Sequence, residues 1–416
     1  MLKLEPFTPS GTITIPGSKS HTIRALLISA MAKGKSKITN PLYSEDTASA
    51  ISILKECGVI FTQDENTLLV DSTNFKVKDG AVLDCGNSGT TLYLSLGLLA
   101  TSNATFTLCG DAQLSKRPIK ALVDAYKALG VEVINGYDHL PITLKGGLIG
   151  GHVSIECPTS QYLSSLLLSL PLAKTQSTID CPLLYEKPYV EMTLSWLKKQ
   201  NIMLEKTDDL EHYRIKPEQH YTPLKDFIPG DYSSATFFFS LAAITKSAIT
   251  VDGLVKDDSQ GDKAVLDVLK EMGCTVTWNG NSVTVKGPDE LKGGTFDLNA
   301  IPDSLPALSV VAAYSKEAVN FINVANARIK ETDRIAVMKE NLALLGVTCT
   351  DTPSSLTILG HGFIKGGEVK GYGDHRIIMA LAICSAMVQD SIIIDDVKAV
   401  DITFPTFFKL LKELKK

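Results

Sequence analysis

The chain has 416 residues, 44% hydrophobic and 21% charged, which is the balance of an ordinary globular protein. Its formal net charge of −5 argues against a nucleic-acid partner or an anionic membrane surface, and no run approaches the ~18 apolar residues of a spanning helix. Eight scattered cysteines and seven histidines show no Cys-x2-Cys or His-x3-His spacing, so no metal site is expected.

Taken in chain order, residues 2–6 and 11–16 read as two short strands that lead into a small polar cluster, Gly17-Ser18-Lys19-Ser20. An amphipathic helix is expected from that point. The same punctuation returns at Gly86-Asn87-Ser88-Gly89, Pro158-Thr159-Ser160-Gln161, Gly230-Asp231-Tyr232-Ser233, Pro302-Asp303-Ser304 and Gly373-Asp374-His375-Arg376. Counted from His21, Ser88, Ser160, Asp231, Asp303 and His375, the gaps are 67, 72, 71, 72 and 72 residues. A period that steady marks one supersecondary unit used repeatedly.

Within each period a short strand is expected between two helices, at 105–108, 178–180, 248–252, 319–323 and 391–394. The second helix then ends on a residue suited to the left-handed C′ position: Gly58, Gly130, Asn201, Gly273 and Gly346. A hairpin follows, clearest over 131–144, where Asn135-Gly136 reads as the turn. The sixth unit lacks this hairpin because its second helix, near 404–414, runs to the end of the sequence. Both N-terminal strands are therefore expected to pair into the sixth unit and close the repeat on itself. The expected organisation is an α/β fold of two domains. Residues 17–229 carry units one to three; residues 1–16 with 230–416 carry units four to six.

Helix N-termini expose unpaired N–H groups and a positive partial charge, so repeated helix starts suit anions. Basic residues gather at these starts despite the negative total: Lys19, Arg24, Arg117, Arg328, Lys330, Arg334 and Arg376. A helix end gives an anion ~0.3–1 kcal/mol at the surface, whereas a charge-assisted hydrogen bond gives ~1.5–3, so the side chains set affinity and the helix ends set geometry. Each cluster also has a plainer reading. Lys330-Glu331-Thr332-Asp333-Arg334 reads as a capped helix entry with exposed ion pairs, and Asp374-His375-Arg376 as a cap followed by solvated charges.

Taken together, PGSKSHTIRALL (16–27), GNSGT (86–90), KRPI (116–119), TSQYL (159–163), KPYVEMTL (187–194), GDYSSA (230–235), NARIKETDR (326–334), GDHRIIMAL (373–381) and TFPTFF (403–408) resemble the EPSP synthase family, in family order across the chain. The resemblance implies an inside-out α/β barrel of βαβαββ-type units in each domain, with helix N-termini facing the interdomain cleft. It implies transfer of the enolpyruvyl group of phosphoenolpyruvate to the 5-hydroxyl of shikimate 3-phosphate, in the shikimate pathway of aromatic amino acid biosynthesis. No metal or organic cofactor is implied. Small-molecule substrates, a monomer and a cytoplasmic location are expected; the first residues, Met-Leu-Lys-Leu-Glu-Pro-Phe, hold no apolar run of signal-peptide length.

Carried over residue by residue, the resemblance assigns Lys19, Ser20, Arg24, Thr159, Ser160, Gln161, Tyr189, Asp303, Asn326 and Lys330 to shikimate 3-phosphate. It assigns Lys19, Asn87, Gly89, Arg117, Gln161, Arg334 and Arg376 to phosphoenolpyruvate. Lys19, Asp303 and Glu331 take catalytic roles, Asp303 as base toward the 5-hydroxyl and Glu331 in proton handling. Three positions depart from the family pattern: Tyr93 and Ile402 stand where basic residues are usual, and Glu186 stands where a phosphate-binding Ser is common. Those departures favour, as an alternative, a diverged transferase with another phosphorylated acceptor; a non-catalytic phosphometabolite-binding protein is a second alternative, against which Lys19, Asp303, Glu331 and Arg376 are all retained. The related UDP-N-acetylglucosamine enolpyruvyl transferases carry a reactive Cys where this chain has Ala112.

Overall fold

The structure is a computed structural model that describes residues 1–415. Its α-helices fall into six pairs: α1 (Lys19–Met31) with α2 (Glu45–Glu56), α3 (Gly89–Ala100) with α4 (Lys120–Ala128), and α5 (Ser160–Ser169) with α6 (Lys187–Lys199), then α7 (Tyr232–Thr245) with α8 (Val265–Glu271), α9 (Leu305–Ala313) with α10 (Arg334–Leu344), and α11 (His375–Cys384) with α12 (Phe407–Glu413). The first helix of every pair starts at one of the six polar clusters; α9 is entered through a 3-10 turn over Pro302–Ser304.

These first helices differ from the amphipathic pattern expected of them. Every residue of α3, α9 and α11 is buried, and α1 and α7 are buried over nearly their whole length. A helix that is apolar all round belongs in the middle of a core, with other elements on every side. The second helices are the amphipathic ones: α4 buries Leu122, Val123, Ala125 and Tyr126 and leaves its other face to solvent. They end as the sequence predicts, with Gly58, Gly130, Asn201, Gly273 and Gly346 at φ 83°, 102°, 56°, 104° and 86°.

The chain divides into two compact units, Gly17–Ile228 and Met1–Pro16 with Pro229 onward, so Pro229 goes with the terminal segments. Each has its own hydrophobic core. In the 17–228 unit, three four-stranded sheets surround α1, α3 and α5, and all share one order. A leading strand lies parallel to the strand between the paired helices, and a hairpin then continues antiparallel. Ala81–Asp84, Thr105–Cys109, Ile142–Lys145 and Glu132–Asn135 form one such sheet. The turn of this hairpin is longer than the sequence suggests. Asn135 still pairs with Thr143, so residues 136–141 form the loop.

The N-terminal strands split between two repeats. Leu2–Leu4 pairs antiparallel with Ile392–Ile394 of the sixth repeat, as expected. Gly11–Thr14 does not join it; it lies parallel to Ala248–Asp252 of the fourth repeat. Correspondingly, Lys225–Phe227, which precedes α7, lies parallel to Lys35–Thr39 of the first repeat. The strand before α1 thus serves the repeat of α7, and the strand before α7 serves the repeat of α1. Both are short alternating segments, and nothing local selects which parallel neighbour they take.

Hydrogen bonds fix the helix register in the 17–228 core. Arg24, one turn into α1, reaches Ser164, one turn into α5, at 3.4 Å; Ser165 Oγ donates to Tyr93 O, early in α3, at 2.6 Å. The three helices therefore run side by side with their N-termini at one end. Gly97 lies where α3 presses on this layer: a Cβ there would stand 2.5 Å from Tyr126 Oη and 2.8 Å from Ser165 O. Alanine at this helical position gains about 1 kcal/mol of propensity, but overpacking costs about 1–3. Gly97→Ala is expected to lower the urea midpoint at unchanged slope; a raised midpoint would contradict this close packing.

Candidate active site

In the unit of 17–228, the predicted residues cluster at the N-termini of α1, α3 and α5. Lys19 opens α1, and its ammonium lies 2.9 Å from Asp46, a buried carboxylate in the first turn of α2. Arg24 is 1% exposed, and its guanidinium donates to four neutral oxygens: Thr193 Oγ1 at 2.9 Å, Ser20 O at 3.0 Å, Tyr189 O at 3.2 Å and Ser164 Oγ at 3.4 Å. Burial pulls its pKa down to about 10, so it stays charged at neutral pH. Ser20 and Tyr189 thus serve this cation through their carbonyls.

Gly89 is the first residue of α3, and its lack of a side chain makes room for Arg117: a Cβ would sit 2.5 Å from Nη1 of that guanidinium. Asn87 precedes the helix, its amide nitrogen held at 2.7 Å by both Asp111 and Gln113, while its Oδ1 is buried with no hydrogen-bond partner among the described residues. Thr159 caps α5 by accepting from Gln161 N at 3.4 Å. Gln161 Oε1 has no partner among the described residues. Ser160 gives its N–H, at 3.4 Å, and its hydroxyl, at 3.0 Å, to the buried carboxylate of Glu186.

In the other unit, the site is a buried ionic network around Arg334, the first residue of α10 and 1% exposed. Its Nε and Nη2 hold Asp374 at 2.8 and 3.2 Å, its Nη1 holds Asp303 at 2.8 Å, and its Nη2 also holds Glu331 at 2.5 Å. Asp303 is shared: Arg376 lies 3.0 Å from its second oxygen and Lys330 3.8 Å from its first. Burial alone would raise the Asp303 carboxyl, but Arg376, Lys330 and Arg334 outweigh it and hold the group well below the usual carboxylate range. Burial alone would lower Arg334, and its three carboxylates push it up instead.

This network corrects the two plainer readings of its motifs. Arg334 and Arg376 are not solvated charges; both are buried, while Asp374 does cap α11 as read, accepting from Arg376 N at 2.9 Å, and is itself buried. Asn326, also assigned to the acceptor, is buried in the 3-10 turn Ala325–Ile329. The structure brings Asp303, Glu331, Arg334 and Arg376 into one network, with Lys330 at its edge. Sequence reading gave no role to Thr332 or Asp46, and read Asp374 only as a helix cap. Thr332 donates to Asp374 at 3.0 Å, and an Asp at the start of a buried helix was the available signal.

The model of the EPSP synthase (3-phosphoshikimate 1-carboxyvinyltransferase) family matches residues 6–411. The chain belongs to this family. It is 40% identical over 415 residues to a 3-phosphoshikimate 1-carboxyvinyltransferase of Ruminiclostridium cellulolyticum, covering 99% of this chain and 97% of that relative. It is 41% identical to the enzyme of the same name from Acetivibrio thermocellus, with the same coverage. Among solved structures, an EPSP synthase from Acinetobacter baumannii matches with a TM-score of 0.83 at 25% identity, over 99% of this chain and 98% of that one. The two-domain α/β fold and the transferase class both follow.

His375, first residue of α11, is 1% exposed, and neither ring nitrogen has a hydrogen-bond partner among the described residues. Burial drives its pKa down to about 3. Below the ordinary value of about 6.5 the unfolded chain takes up a proton that the folded chain refuses, so stability falls as pH drops through that window. The loss amounts to about 2 kcal/mol between about pH 6.5 and 5. Thermal melts of His375→Gln should show a shallower fall in Tm over this range than the natural chain; equal slopes would contradict a neutral buried His375.

Proposed function

We propose that the residues gathered at these helix starts carry the enolpyruvyl transfer of the family: phosphoenolpyruvate plus shikimate 3-phosphate gives 5-enolpyruvylshikimate 3-phosphate and phosphate. In the addition, the 5-hydroxyl oxygen bonds to C2 of phosphoenolpyruvate, its proton leaves to a base, and a proton arrives at the C3 methylene. In the elimination, the C2–O bond to phosphate breaks and the C3 methyl gives up a proton. Asp303 takes the hydroxyl proton, and Glu331 handles the proton at C3. The intermediate holds carboxylate and phosphate on one carbon, and Lys19, Arg117, Arg334 and Arg376 supply the cations it needs. Asn87, Gly89 and Gln161 complete the phosphoenolpyruvate contacts. Lys19, Ser20, Arg24, Thr159, Ser160, Gln161, Tyr189, Asp303, Asn326 and Lys330 bind shikimate 3-phosphate.

The observation that carries this reading is the environment of Asp303. A carboxylate held by three cations is a poor base, and this one improves when those cations are drawn to other anions. Substrate phosphate and carboxylate groups are such anions, so the base gains strength only once substrates are bound. No metal or organic cofactor enters the reaction as written. A cytoplasmic monomer belongs to the same reading; among the described residues no helix is long and apolar enough to cross a membrane.

The test is phosphate release from the two substrates together. The natural chain should turn over, and Asp303→Asn should lower kcat by about 100- to 10,000-fold. Full activity in Asp303→Asn would remove Asp303 from the chemistry, and absence of phosphate release from the natural chain would overturn the reading. Gly89→Ala should displace the Arg117 guanidinium and raise the KM for phosphoenolpyruvate by about tenfold, with a smaller change for shikimate 3-phosphate. An unchanged phosphoenolpyruvate KM would show that Arg117 does not bind that substrate.

A further inference from the structure

We propose that Glu186 is a built-in competitor for the phosphate of the acceptor, and so sets how tightly this chain binds it. The inference rests on the enolpyruvyl-transfer reading. Glu186 precedes α6 with a left-handed backbone, φ 57° and ψ 42°, a conformation that few residues other than glycine, asparagine and aspartate adopt readily. The side chain is 2% exposed, and its Oε2 accepts from both the N–H and the hydroxyl of Ser160. Those donors stand at the first turn of α5, where N–H groups lack helical partners and the dipole favours an anion.

A second observation concerns the cation beside this helix start. Glu186 O accepts from Tyr189 N at 3.0 Å, and Tyr189 O accepts in turn from the buried guanidinium of Arg24. The four oxygens that Arg24 donates to are neutral, so among the described residues this buried cation has no carboxylate as a hydrogen-bond partner. At the same helix start, Gln161 Oε1 has no partner among the described residues. Glu186 thus satisfies the helix start with a carboxylate while leaving the neighbouring guanidinium to neutral groups.

The competition follows from the donor count. A serine hydroxyl has one hydrogen to give, and Ser160 gives it to Glu186. A phosphate that takes this hydroxyl and the adjoining N–H must expel the carboxylate, because two anions cannot share one pair of donors. Part of the attraction between phosphate and helix start is therefore spent on displacing Glu186. The same contact keeps the empty helix start satisfied and discriminates against weakly charged acceptors.

The test uses the full chain and two variants, Glu186→Gln, which keeps an accepting oxygen without the charge, and Glu186→Gly, which suits the left-handed backbone. Calorimetry with shikimate 3-phosphate should give a Kd lower by about tenfold in both, while the KM for phosphoenolpyruvate changes little, a split that a purely structural role would not produce. Phosphate release by the natural chain is measured alongside. If it turns over and folded variants bind the acceptor no tighter, the competitor role is overturned and the proposed reaction stands. If it fails to turn over while the variants still gain acceptor affinity, the competitor role stands and the proposed reaction falls. If neither the natural chain nor the variants bind the acceptor, both are overturned.

Discussion

The buried guanidinium of Arg334 is the contact on which the 229-onward unit depends. It joins three segments far apart in sequence: the 3-10 turn that carries Asp303, the loop that carries Glu331, and the start of α11 at Asp374. A buried ion group of this kind costs several kcal/mol in lost hydration per charge, and its attractions repay that only when the geometry satisfies every donor and acceptor. Removing one member leaves an uncompensated buried charge, which is worth about 3–5 kcal/mol of destabilisation. The network therefore holds its carboxylates in place, and Asp303 and Glu331 gain fixed positions before any substrate arrives.

The two units spend their charges differently. Around Arg334 the cations are committed to carboxylates of the chain, which leaves Asp303, the proposed base, too acidic to act alone. In the 17–228 unit Lys19 is paired with Asp46, whereas Arg24 is buried among neutral oxygens and the start of α5 carries the Glu186 carboxylate. On the proposed reading, substrate anions have different work in each: they release Asp303 from its cations in one unit and replace Glu186 in the other. In both, binding energy is converted into a rearrangement of charge.

Much of this was legible in the sequence because the repeat is written in local signals. Polar clusters mark the six helix starts, and Gly or Asn marks the ends of five second helices, since cap conformations depend on only a few neighbouring residues. The family motifs carried the candidate site residues. What the sequence hid was non-local. The exchange of Gly11–Thr14 and Lys225–Phe227 between repeats is a choice of pairing partner, and either partner satisfies the same alternation. The burial of α1, α3 and α7 was concealed by their polar residues, such as Thr22 and Arg24 in α1, Thr91 and Ser95 in α3, and Ser234 and Thr236 in α7, which the structure nevertheless buries. Arg334 and Arg376 read as exposed charges because a charge run looks the same whether water or a carboxylate faces it.

The claim at the centre of the account is that three cations suppress the basicity of Asp303 until substrates draw them away. Its most direct test is the titration of the Asp303 carboxyl carbon by NMR in the free protein and with shikimate 3-phosphate and inorganic phosphate present. In the free protein the carboxyl should stay ionised below about pH 3 for as long as the fold persists, and its titration should move upward when the ligands bind. A carboxyl that titrates near the ordinary value of about 3.9 in the free protein, unmoved by the ligands, would contradict the account.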